Sequence, residues 1–138
     1  MYFINPLTFL LMEKFLSLYV TDTDKDQGYR LVPVKGISSV VQASTTSTVI
    51  GYSDFSATST ITTGDSVANV TYQHKITITH GAIGADTTVF RDFIQDSIEH
   101  ALQLSWQHPV YKPNGSGYPN GDGSSVPVKI TAIVESFA

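Results

Sequence analysis

From Lys14 to Thr21 the chain reads KFLSLYVT, with Leu16, Leu18 and Val20 on one side of an extended backbone and Phe15, Ser17 and Tyr19 on the other. That alternation predicts a strand with two partly apolar faces. YRLVPVKGI (29–37) resumes a β-rich run, and Pro33, which has no N–H for a ladder, places that strand at an edge or a bulge. SVVQASTTSTVIGYS (39–53) reads as two short strands joined at Ser44–Thr46, with ATSTITT and GDS following. The clearest period of two lies in SVANVTYQHKITITHG (66–81). Ala68, Val70, Tyr72, His74, Ile76, Ile78 and His80 share one face, and Asn69, Thr71, Gln73, Lys75, Thr77 and Thr79 the other. One buried and one wetter face is the antiparallel pattern.

At Asp86 the period changes. DTTVFRDFIQDSIEHALQLSWQHP predicts one helix from about 87 to 107, with Asp86 as N-cap and Pro109 as the stop. Phe90, Ile94, Ile98, Ala101 and Leu104 fall at helical spacing, flanked by Phe93 and Leu102. YKPNGSGYPNGDGSS then forms a glycine-rich loop, 112–125, that cannot build a core. VPVKITAIVESF (126–137) closes the chain as a strand, with Val126, Val128, Ile130, Ala132 and Val134 expected on its buried face. The expected fold class is α+β: a mostly antiparallel sheet or sandwich, one long amphipathic helix packed on it, and a C-terminal strand. Residues 1–11 read as an apolar arm before a single β-rich domain, 12–138, and Met12 can serve as a second start.

Composition narrows the function. The chain has 138 residues, of which 41% are hydrophobic and only 14% charged, against a usual quarter. Net charge is -4 with eight Lys and Arg, and no basic run appears, so nucleic acid is not an expected partner. There is no cysteine, hence no disulfide framework, thiol catalysis or Cys-zinc site. The apolar N-terminal stretch has no positive charge before Lys14, unlike a signal peptide, and is broken by Pro6 and Glu13–Lys14, well short of the ~20 residues that span a bilayer.

TDTDKDQG (21–28) holds Asp22, Asp24 and Asp26 at the spacing of the first EF-hand ligands. Gln27 stands where that loop needs glycine, and Pro33 where it needs the closing glutamate. The three aspartates are thus weak metal candidates in a solvated hairpin loop, with Gly28 at its strained position. His74 and His80 share a strand face but lie ~20 Å apart, too far for one metal. Asp96 and His100 are four apart on the helix and can pair, without a nucleophile or pocket in view. No catalytic residue and no cofactor is expected. The features left over are contact surface: Tyr2, Phe3, Leu7, Phe9 and Leu10 in the arm, and Tyr118 in the loop.

The runs MEKFLSLYV, YRLVPVKGISSVVQASTTSTVIGY, KITITH and TTVFRDFIQDSIEHALQLSW resemble small virion proteins of tailed phages, especially those of marine bacteria. The resemblance spans roughly residues 12–110 and implies a structural role, in capsid decoration or head–tail completion, with no enzymatic residues. The expectation is a virion protein, assembled in host cytoplasm, that binds itself or other virion proteins as a homo-oligomer, with neither membrane nor nucleic-acid partner. A carbohydrate- or surface-binding module using Tyr111, Tyr118 and Asp122 is the second reading, and a small enzyme the third.

Overall fold

A computed structural model describes residues 13–21, 27–105, 107–113 and 127–137, with backbone alone at 54–59, 61, 70 and 71. The strands are β1 (Phe15–Val20), β2 (Gly28–Pro33), β3 (Ile37–Gln42), β4 (Ser47–Thr63), β5 (Ser66–His80), β6 (Val110–Tyr111) and β7 (Ile130–Ser136); one helix, α1 (Val89–Gln103), lies between β5 and β6. The fold is α+β and mostly strand. All seven strands join one sheet in the order β2-β1-β7-β5-β4-β3, with β6 beside the start of β1. Pairing is antiparallel throughout, except that β1 runs parallel to β6 and to β7. β2 is an edge strand, as Pro33 requires, and Gly28 opens it at φ 139.

The sheet is curled. β2 and β3 stand at its opposite edges, five strand steps apart, or about 24 Å in a flat sheet. Yet only Val34–Gly36 connect them, a link that reaches at most about 15 Å. The edges must therefore approach each other. Tyr52 on β4 shows that they do, because its hydroxyl donates to the Pro33 carbonyl of β2 at 2.6 Å. Inside the curl lie Leu16, Leu18, Val20, Val32, Ile50, Tyr52, Ile76, Ile78 and Ile130, all buried. The helix covers the open side, contributing Phe90, Phe93, Ile94 and Ala101 to the same cluster. Ser97 also faces inward, and its hydroxyl is satisfied by the Phe93 carbonyl at 2.8 Å.

Strands hold both helix ends. The Thr88 side chain occupies the N-cap position without capping the backbone, and the expected cap, Asp86, instead sits in the left-handed region at φ 61. The amide N–H of Arg91 is taken by Gln42 Oε1 of β3 at 3.0 Å. At the other end Lys14, just before β1, donates its ammonium to the carbonyls of Ala101, at 2.7 Å, and Leu104. A cation there meets the negative end of the helix dipole. The helix stops at Gln103 rather than near 107, so Leu104 is exposed instead of joining the core, while Leu102, within the helix, lies on its solvent side.

The last strand also departs from expectation. Ile130 is buried, but Val134 is 58% exposed and Ile133 packs on the core instead. The cause is a register shift. Thr79 pairs with Ala132 and His80 with Ile130, so Thr131 is an extra residue that turns every later side chain to the opposite face.

Candidate functional site

The two buried histidines of β5 are structural. His80 stacks on Phe90, with centroids 4.0 Å apart, and its Nδ1 lies 2.8 Å from the Gly81 carbonyl. A carbonyl only accepts, so Nδ1 carries the hydrogen. Nε2 then accepts from the Thr48 hydroxyl at 3.1 Å and the Gln42 amide at 3.2 Å. This arrangement suits a neutral ring, and burial pushes the His80 pKa below its ordinary value, with the Gly81 hydrogen bond opposing the shift. Gln42 thus connects His80 to the helix N-terminus. His74 is sandwiched between Tyr52 and Phe137, at centroid distances of 4.5 and 4.8 Å. Its Nε2 lies 2.8 Å from Glu135 Oε1, close enough for an ion pair but not aligned as a hydrogen bond.

The helical pair does not meet through its side chains. His100 Nδ1 contacts the Asp96 backbone carbonyl at 2.8 Å, and the ring stacks on Tyr111. Tyr111 therefore packs against the body and does not present a free ring to a sugar. Among the described residues, no group of three His, Asp or Glu side chains is placed to hold a metal, and no helix is long and apolar enough to cross a membrane. Asp22, Asp24 and Asp26, the arm residues Tyr2, Phe3, Leu7, Phe9 and Leu10, and Tyr118 and Asp122 of the loop lie outside the described residues.

Two unpartnered features stand out. The first is a β-ribbon. β4 pairs with β3 only up to Tyr52, and β5 pairs with β7 only from Lys75 onward. Beyond those points, among the described residues, Ser56–Thr63 and Ser66–Gln73 pair with each other alone, over about 26 Å of strand. Gly64 and Asp65 form the turn, with Gly64 at φ 60 in the manner of a type II′ hairpin. Thr60, Thr62, Val67, Ala68 and Asn69 are exposed, Val67 to 67%.

The second feature is a groove of about 380 Å³ between the outer edge of β3 and α1, lined by Ile37, Ser38, Ser39, Val40, Gln95, Ile98 and Glu99. Its floor is apolar and its rim polar. β3 has β4 as its one strand partner among the described residues, and the groove runs along β3 over Ile37–Val40. The helix and β3 run roughly antiparallel along it, since Gln42 meets Arg91 at one end and Ile37 lies near Ile98 at the other. The outward face of the sheet adds single exposed apolar side chains at Leu31, Val41 and Val134.

Sequence reasoning ended β4 at Ser53 and so missed the ribbon. The signal was present: two Ser/Thr and β-branched runs flank a Gly-Asp pair, which is a hairpin signature. The groove had no local signal, because it exists only once β3 is the last strand and the helix lies beside it. No protein family, no curated protein and no solved structure matches the chain.

Proposed function

We propose that this chain is a structural protein that assembles through subunit contacts, as a component of a phage virion in capsid decoration or head–tail completion. The observation that carries the assembly reading is the β4–β5 ribbon. A two-stranded ribbon in water is marginal by itself, and its two open backbone edges are templates for pairing with another chain. A monomer has little use for such a projection. The polar, weakly charged surface and the apolar 1–11 segment favour the same reading. The virion assignment rests on the resemblance of residues 12–110 to small phage proteins. Light scattering after size exclusion tests the assembly reading. A discrete oligomer or larger particle is the expected result, and a 15.0 kDa monomer at every concentration overturns it.

A further inference from the structure

The ribbon and the groove are complementary deficits. Among the described residues the ribbon lacks a third strand, and β3 lacks an outer strand neighbour. They cannot satisfy each other within one chain. The ribbon is the outward continuation of β4, and β4 already occupies the opposite edge of β3. Resting on the assembly reading above, we infer that the β3–α1 groove receives the β4–β5 ribbon of a second copy, added as a strand beside β3 and beneath the helix. Strand addition of this kind takes its affinity from main-chain hydrogen bonds and its specificity from side-chain pockets.

The chemistry of the two surfaces matches. The groove floor of Ile37, Val40 and Ile98 takes an aliphatic side chain, and Val67, near the ribbon tip, is an exposed aliphatic. The ribbon tip carries Asp65, exposed and in no ion pair among the described residues. Lys35 stands two residues before Ile37 at the groove's end, also exposed and in no ion pair. Asp65 and Val67 are two positions apart, as are Lys35 and Ile37. Residues 53–73 contain no Lys or Arg, so the ribbon brings no cation to a polyanion. Its Ser/Thr-rich strands also match the polar rim of Ser38, Gln95 and Glu99. The contact joins different patches on the two copies, so it either closes reciprocally as a two-fold dimer or propagates head to tail into a ring or a filament.

The chain has no cysteine, which makes cross-linking clean. Full-length Gln95→Cys and Val67→Cys are prepared separately, mixed, oxidised and resolved on a non-reducing gel; both sites are exposed. The expected result is a dimer band in the mixture, little in either variant alone, and from the double variant a dimer if the exchange is reciprocal or a ladder if it runs head to tail. Strong dimerisation of Val67→Cys alone means that ribbons pair with one another, which overturns the groove assignment. An oligomeric mass without the mixed cross-link also overturns it, while leaving the assembly reading standing. A monomeric mass overturns both. A charge exchange gives an independent readout. Asp65→Lys and Lys35→Asp each raise the dissociation constant about threefold, and the double variant restores it. Two additive losses without restoration remove this pairing.

Discussion

Strands β4 and β5 pass through two environments while keeping one antiparallel ladder. In the body, Thr48, Ile50 and Tyr52 of β4 and His74, Ile76, Ile78 and His80 of β5 are buried. Each strand there has a second neighbour, β3 or β7, and a helix over its inner face. Past Tyr52 and Gln73 the same strands have only each other among the described residues. The contrast separates hydrogen bonding from burial. Backbone pairing continues across the boundary, but the apolar area removed from water does not. Net backbone hydrogen bonds contribute about 1 kcal/mol each, against 1.5–3 kcal/mol for one fully buried Ile or Leu. The body therefore carries most of the burial that stabilises the fold, and the ribbon, with its backbone pairing alone, adds little.

Paired substitutions break or sharpen this comparison. Ile78 is fully buried and packs between β4 and β7. Ile78→Ala is expected to cost about 2–5 kcal/mol, through lost transfer energy and the cavity left behind. Val67→Ala, on the same strand but in the ribbon, is expected to change stability by less than about 0.5 kcal/mol. Urea denaturation followed by circular dichroism measures both, at a protein concentration too low for assembly. Equal losses at the two sites mean that the ribbon is already buried within the monomer.

The next effect lies where the helix is pinned to the two sides of the curl. Lys14→Met keeps the aliphatic stem but leaves the Ala101 and Leu104 carbonyls without their cation. Gln42→Met removes the acceptor for the Arg91 N–H and one donor to His80. Each change is expected to cost about 1–2 kcal/mol. Amide exchange assigns the cause: the Arg91 amide should exchange faster in Gln42→Met and keep its protection in Lys14→Met. Loss of protection along the whole helix in both variants means that the caps hold its position rather than its ends.

These caps explain why parts of the fold were legible and parts were not. The period of two in β5 was readable over His74–His80, where it reflects one buried face; it runs on through Ser66–Gln73, where Ala68, expected on that buried face, is exposed because no strand or helix covers the ribbon there among the described residues. The helix was readable for the same reason, through Phe90, Ile94 and Ala101. Its ends were not, because Gln42 and Lys14 lie 49 and 87 residues away along the chain from the groups they hold. The face of β7 was misread because Thr131 is extra only with respect to β5, and a register shift belongs to two strands at once. The ribbon was overlooked because Ser and Thr blur the apolar period, leaving Gly64–Asp65 as its one local mark. Of the contact surface, the sequence could point to apolar side chains lacking cover. It could not point to the groove, whose walls are Ile37–Val40 and Gln95–Glu99.

The smallest expected effect is a slope with pH, and it belongs to the body alone. In the folded chain burial holds the His80 pKa below its ordinary 6.5, and the unfolded chain titrates near that value. Between the folded and unfolded values the unfolded chain binds more protons, so stability rises with pH in that window. The His80 contribution is thus fully present above about pH 6.5 and is lost as pH falls toward the folded value. Protonation would place a hydrogen on Nε2, where Thr48 and Gln42 now donate, and would set a charge against the Phe90 ring in the core. His80→Gln keeps a polar partner for Thr48 and has no proton to gain. Urea midpoints measured from pH 8 to pH 5 should fall in the wild type below about pH 6.5 and fall less steeply in the variant. Parallel curves would mean that His80 titrates alike in both states and that its burial leaves no mark on stability. Because the ribbon contains no histidine, deleting its tip should leave the wild-type slope unchanged. That places the pH response on the buried side of the boundary at Tyr52 and Gln73.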